Sequence, residues 1–161
     1  VAIVLGKLSL SRLVGVHPKL VAVVEHAAQL ATPAQDFMVL EGVRSDTQCF
    51  INFGKGRTPA QCEAGGCPGR FSQPAAGKVT WVGHALSSNH RAKPDGFGHA
   101  VDLVPYPVDW NDAKRFDELK ALMFRAAADQ GVKLRWGGDW NGNGKPHEKG
   151  ETDLPHFELA A

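Results

Sequence analysis

An α+β fold, with a small, mainly antiparallel sheet flanked by helices, is what this chain predicts, and three observations predict it. Strand and helix patterns are interspersed without the regular alternation of a doubly wound sheet. Two segments carry apolar stripes at helical spacing, and the strand-like runs are short and bounded by turn residues. At 161 residues the chain is long enough for a core but short for two, so one domain spanning 1–161 is expected.

The opening VAIVLG is apolar but too short for a signal-peptide core, and it reads as an edge strand or a packed terminus. Pro18 suits a first helical turn, and Leu20, Val24, Ala27, Ala28 and Ala31 share one face, which predicts a helix over 18–31. FMVLEGV (37–43) reads as a strand. Ser45, three residues before Gln48, matches a capping box and predicts a short helix there. Residues 54–78, rich in Gly, Pro and polar groups, read as a long surface excursion. KVTWV (78–82) and GHAVDLV (98–104) are candidate strands. The clearest helix opens at Asn111 or Asp112 and closes at Gly131, with Phe116, Leu119, Met123, Ala126 and Ala127 as its stripe. VKLRW (132–136) and HFEL (156–159) supply the last strands.

Charge is nearly balanced, 18 Lys+Arg against 17 Asp+Glu, which argues against a nucleic-acid or membrane-surface partner. No apolar run approaches the roughly 20 residues that span a bilayer. With no export signal read at its start, the chain is expected to be made in a cytoplasm. Cys49, Cys62 and Cys67 cannot all pair within one chain. Cys62 and Cys67 flank a Gly-rich loop and could bridge or bind metal, but a zinc ribbon needs a second pair. Three unpaired thiols are expected.

Asp102 poses the sharper problem. It sits inside the apolar run AVDLV, where an ionised carboxylate is costly unless something pairs with it. Strand alternation puts Ala100, Asp102 and Val104 on one face and His99, Val101 and Leu103 on the other. Small Ala100 leaves room for a cation above Asp102, and the same parity turns His99 away. His90 upstream and His156 at the start of the last strand are better partners, with Asp153 three residues before His156. Pro155 forbids a regular helix between the last two, so they must converge through a turn. Catalytic zinc takes three such ligands, keeps a fourth position for water and lowers that water's pKa to about 7. His90, Asp102 and His156 fit as ligands and Asp153 as the spare carboxylate that takes a proton. The competing explanation is a salt-bridged Asp102 among ordinary histidines, since His17, His26, His84 and His147 are also present.

A family resemblance separates the two. Ser88-Asn89-His90 followed by Gly98-His99-Ala100-Val101-Asp102 resembles the S-x-H-x-x-G-x-A-x-D signature of the M15 zinc peptidases. Asp153-Leu154-Pro155-His156 resembles that family's second signature, Glu41-Gly42-Val43-Arg44-Ser45 its GxRS segment, and Trp136-Gly137-Gly138-Asp139-Trp140 its W-G-G-D-W run. The matches run in the family's order from about His17 to Leu159. The most similar members are phage lysins that cut the L-alanyl-D-glutamate bond of peptidoglycan stem peptides; relatives include D-alanyl-D-alanine dipeptidases and carboxypeptidases. The resemblance implies zinc on His90, Asp102 and His156, placed on the sheet face, and Asp153 as catalytic acid/base. It implies that Arg44 stabilises the oxyanion or holds substrate, a structural salt bridge being the alternative. A monomeric lysin acting on peptidoglycan, released through a holin-type lesion to reach the periplasm and wall, is the implied biology. A D-alanyl-D-alanine peptidase and a non-catalytic zinc-containing binding module are the competing functions.

Two departures stand out. RAKPDGF puts seven residues between His90 and Gly98 where the family has two, an insertion that loop-closure entropy tolerates. After Trp140 a second insertion carries DWNGNG, the first half of a calcium loop. Asp139, Asn141 and Asn143 fall at its alternate oxygen positions, but position twelve is Gly150, so Glu148 or Glu151 would have to substitute. The alternative is a plain Gly/Asn-rich turn.

Overall fold

Four short strands make one antiparallel sheet: β1 (Phe37–Glu41), β2 (Ala100–Pro105), β3 (Leu134–Trp136) and β4 (His156–Leu159), in the order β1-β2-β4-β3. The structure, a computed structural model, describes residues 2–160. Among the described residues five α-helices accompany the sheet: α1 (Lys7–Arg12), α2 (Pro18–Leu30), α3 (Asp46–Gly54), α4 (Pro59–Ala64) and α5 (Ala113–Asp129). The α+β expectation holds.

Strand alternation gives the sheet two unlike faces. Val39, Val101, Leu103, Trp136 and Phe157 point inward and pack with Leu20, Val23, Val24, Leu119 and Met123 of α2 and α5. Each such side chain contributes about 1.5–3 kcal/mol by leaving water, so truncating Leu103 to Ala would remove about 2–5 kcal/mol. The opposite face carries the residues between them. Asp102 lies directly across from His156, and Ala100 across from Glu158. Cross-strand partners share a face, so the core fixes where these polar groups stand.

Both long helices start and stop for local reasons. Pro18 occupies the first turn of α2, and the ring of His17 caps it by accepting from the Lys19 amide at 3.1 Å. Asp112 caps α5 by accepting from the Arg115 amide at 3.3 Å, and Gly131 follows its end at φ +67°. Ser45 caps α3 through the Gln48 amide at 3.1 Å. The expected box is only half made, because the Gln48 side chain turns to Asn52 at 2.8 Å.

Several expectations need correction. Of the two forms expected for the amino terminus, it takes the packed one: Ile3 donates its amide to Ala28 at 3.1 Å and Leu5 is buried, while Val1 lies outside the described residues. The KLSLSR segment after it is helix α1, although Leu8 and Leu10 alternate with serines as in a strand. Its buried Ser9 faces β1, where Oγ accepts the Val39 amide at 3.1 Å beside the bulge. KVTWV is not a strand. Val79 and Trp81 are exposed, and the segment is tied down by Arg57, whose Nη2 donates to the Thr80 carbonyl at 2.8 Å. The excursion 54–78 contains α4, opened by a Thr58–Gln61 capping box with Pro59 in its first turn. Phe53, Cys62, Cys67 and Ala85 form a second small core there. Cys49, Cys62 and Cys67 are free and buried, as expected of unpaired thiols.

Candidate active site

On the outer face of the sheet, His90, Asp102 and His156 converge from three separate segments. Asp102 and His156 arrive by register, as opposed residues of β2 and β4. His90 arrives on the loop before β2. Its amide donates to Ser88 Oγ at 3.2 Å and its carbonyl accepts the Arg44 amide at 2.9 Å. The spacer after it is no floppy loop. Residues 92–98 close as a small hairpin, with Lys93 donating to Phe97 at 2.9 Å and Gly96 to Lys93 at 2.8 Å.

The donor atoms form a nearly equilateral triangle. His90 Nε2 and His156 Nδ1 are 3.2 Å apart, and Asp102 Oδ1 is 3.3 Å from the first and 3.4 Å from the second. Their outer atoms fix the tautomer of each neutral ring. His90 Nδ1 faces the Gly42 carbonyl at 2.9 Å, which only accepts, so Nδ1 carries hydrogen. His156 Nε2 faces Glu158 Oε2 at 2.7 Å and carries hydrogen for the same reason. In neutral rings both inward nitrogens therefore present lone pairs to a carboxylate. Asp102 Oδ1 itself is buried without a hydrogen-bond partner. Such an arrangement repels itself unless a cation sits among the three atoms, so the group could hold a metal ion.

The titrations agree with a cation-seeking site. Burial pushes the Asp102 carboxyl up, but neighbouring His156 and His90 outweigh it and leave it well below the usual carboxylate range. Burial pushes His156 down, yet Asp102 and Glu158 raise it to about 9. Asp153 stays outside the triangle. Its Oδ2 is 3.8 Å from His156 Nδ1, its side chain is half-exposed, and burial by its surroundings raises its carboxyl despite the nearby His156. The two residues meet through a turn, with the His156 amide donating to the Asp153 carbonyl at 3.1 Å.

Arg44 lies beside this group, its fork clamped by Glu41: Nε donates to Oε1 at 2.7 Å and Nη2 to Oε2 at 2.9 Å. Nη1 remains turned to Ser88 Oγ at 3.4 Å. Glu41 pairs with Asp102 across the β1–β2 ladder, which brings the clamp to the triad's edge.

The WGGDW run builds the wall behind His156. Trp136 Nε1 donates to the Leu154 carbonyl at 2.7 Å, and the Gly137 amide to the His156 carbonyl at 2.9 Å. A Cβ on Gly137 would lie 2.1 Å from the Asp153 carbonyl, so only glycine lets the two segments approach. Trp140 packs on the His156 ring at 5.1 Å between centroids. Gly42, whose carbonyl orients His90, is equally confined, since a Cβ there would meet the Arg12 carbonyl at 1.8 Å.

His99 points away from the triad, as parity requires. It joins His17 and Asp95 in a second, more exposed cluster that could also gather around an ion by proximity alone. Asp139, Asn141 and Asn143 accept backbone amides of their own loop: Asp139 takes Asn143 and Gly144, Asn141 takes Asn143, and Asn143 takes Lys145. Glu148 accepts both asparagine side chains, and buried Glu151 leaves one carboxylate oxygen without a partner.

Sequence inspection missed Glu158, Asn89, Glu41 and Trp140. Strand parity could have found Glu158, which stands two residues beyond His156 and so on the same face. No local signal exposes Asn89 or Glu41.

Comparisons with known proteins point the same way. The family described as phage L-alanyl-D-glutamate peptidase matches residues 76–160, which contain His90, Asp102, Asp153 and His156. The L-alanyl-D-glutamate peptidase of Escherichia phage T5 is 29% identical over 160 residues, covering 96% of each chain. Among solved structures, the L-Ala D-Glu endopeptidase ChiX of Serratia marcescens superposes with a TM-score of 0.54 at 27% identity, over 94% of this chain and 86% of that one. With more than half its length matched, and with the fold and residue order in agreement, this chain belongs to the phage L-alanyl-D-glutamate peptidase family.

Proposed function

We propose that the chain is a zinc-dependent peptidoglycan endopeptidase that hydrolyses the L-alanyl-D-glutamate bond of the stem peptide. Residues 1–161 are taken as one catalytic domain, and every site group comes from a single copy. The observation that carries the zinc reading is the triangle of His90 Nε2, Asp102 Oδ1 and His156 Nδ1, with edges of 3.2–3.4 Å. Bonds of about 2.0–2.1 Å from a tetrahedral zinc to His and Asp ligands put those ligands about 3.3–3.4 Å apart. Two nitrogens and one oxygen are also the donor set of a catalytic rather than a closed structural site.

Held there, zinc supplies an acidified water and a polarised carbonyl. The chain's own groups do the rest. Asp153 Oδ2, raised in pKa and half-exposed beside the triangle, accepts the water's proton and passes it to the leaving amine. Arg44, held rigid by Glu41, offers Nη1 to the oxygen that becomes negative as the amide carbonyl is attacked. As a phage-type lysin the chain would meet its substrate in the wall, and holin-type release from the host cytoplasm belongs to this proposal. Among the described residues no helix is long and apolar enough to cross a membrane.

Digestion of purified peptidoglycan followed by mass analysis tests the reading. New L-alanine carboxyl ends with matching D-glutamate amino ends are expected. Release of terminal D-alanine would instead assign a D-alanyl-D-alanine peptidase, and an uncut wall would leave a non-catalytic zinc module.

We further infer that the loop 139–151 binds calcium. Its support is Glu151, 5% exposed with an orphaned carboxylate oxygen and a carboxyl raised by burial and by the charges of Asp139 and Glu148. Calcium in the micromolar to millimolar range should raise the activity or the Tm with zinc held constant, and Asp139→Ala should abolish the response. Identical behaviour in EGTA and in added calcium would make the loop a plain turn.

A further inference from the structure

We propose that Glu158 is a positioning residue: it fixes which nitrogen of His156 faces the metal, and Asn89 braces it across the site. The inference rests on the metal reading of the triad and adds a group outside the three ligands. Glu158 Oε2 accepts Nε2–H of His156 at 2.7 Å and Nδ2–H of Asn89 at 2.9 Å, while Oε1 pairs with Arg135 Nε at 3.1 Å. The side chain is only 6% exposed, yet it is surrounded by donors. Small Ala100 opposite it in β2 leaves the space it needs.

Each of these contacts has a consequence for His156. A carboxylate only accepts, so it forces the hydrogen onto Nε2 and leaves the Nδ1 lone pair aimed at Asp102. Its charge also makes the ring a stronger donor to a cation. Asn89 precedes His90 in the chain, so its bond to Glu158 ties the loop of one ligand to the strand of the other. The Asn89 carbonyl in turn accepts the His99 amide at 2.9 Å, which anchors that loop to the start of β2. Glu158 therefore couples the spacing of His90 and His156 as well as the tautomer of His156.

A role confined to the ion pair with Arg135 predicts something different. Metal-depleted protein can be titrated with zinc against a chromophoric chelator, using Glu158→Ala, Glu158→Gln and Arg135→Met. Glu158→Ala should bind zinc about 10–100-fold more weakly. Glu158→Gln keeps an acceptor for Nε2–H and should recover most of that loss. Arg135→Met should stay within about threefold of wild type, since the exposed end of the ion pair contributes little. Nitrogen-15 spectra of the zinc-loaded wild type provide a variant-free check, expected to show His156 protonated at Nε2 and metal-shifted at Nδ1. Normal zinc affinity in Glu158→Ala, full loss in Arg135→Met, or metal on Nε2 would overturn the proposal while leaving zinc in the site. Wild-type protein that takes up no zinc would instead overturn the metal reading, and this proposal with it.

Discussion

Among the described residues two clusters share one composition, two histidines and one aspartate, and their difference shows what makes a site. His90, Asp102 and His156 stand on a sheet face whose geometry the core dictates, with nearly equal spacings of 3.2–3.4 Å. His17, Asp95 and His99 stand on a helix start, a hairpin tip and a strand entrance. There His99 Nε2 is 2.7 Å from Asp95 Oδ2 while His17 Nε2 is 3.9 Å from it. The outer nitrogens differ more. In the first cluster they face acceptors, so in neutral rings both inward nitrogens keep lone pairs. In the second, His17 Nδ1 accepts the Lys19 amide, so the neutral ring carries its hydrogen on Nε2 and has no lone pair to offer there. Asp95 is also satisfied already, its carboxyl held low by the Phe97 amide and by His99. Ligand types alone do not make a metal site; the groups behind them do.

The largest effect should come from a residue that touches the first cluster without being part of it. Asp153→Asn should lower peptidoglycan cleavage by about 10²–10⁴-fold, the usual contribution of a general acid/base, with zinc content unchanged. Loss of zinc in step with activity would move Asp153 into the ligand set and break the comparison.

A second effect follows from protonation. In metal-free protein His156 titrates near 9, above its ordinary 6.5, because Asp102 and Glu158 outweigh burial. Its stabilising contribution is therefore complete below pH 6.5 and disappears as pH rises through about 9. The Tm of metal-free protein should fall across that window, and Asp102→Asn should flatten the fall. A metal competes with the same proton, so zinc affinity should strengthen over the same range. A metal-free Tm that climbs between pH 6.5 and 9 would contradict the assignment.

The smallest effect belongs to the second cluster. Asp95→Asn and His99→Ala should leave both the Tm and cleavage near wild type, because exposed pairs contribute little. A large loss of activity in either would mean that the inserted hairpin holds His90 in place through this cluster.

Much of this arrangement is legible in the residues. Alternation in GHAVDLV separates Asp102 from Val101 and Leu103, and Pro155 forces the turn that joins Asp153 to His156. The stripes of α2 and α5 are equally plain. Other parts need tertiary information. KLSLSR alternates like a strand yet forms α1, with Ser9 accepting an amide of β1 from far along the chain. KVTWV has strand composition but pairs with no strand, and Arg57 holds it through the Thr80 carbonyl instead. The bond between Asn89 and Glu158 spans 69 positions, and nothing near either residue announces it.

Metal content per chain, measured after extensive dialysis in wild type, His156→Ala and His99→Ala, tests the central claim most directly. The expected result is one zinc in wild type, one in His99→Ala and none in His156→Ala. Zinc retained by His156→Ala, or lost from His99→Ala, would contradict it.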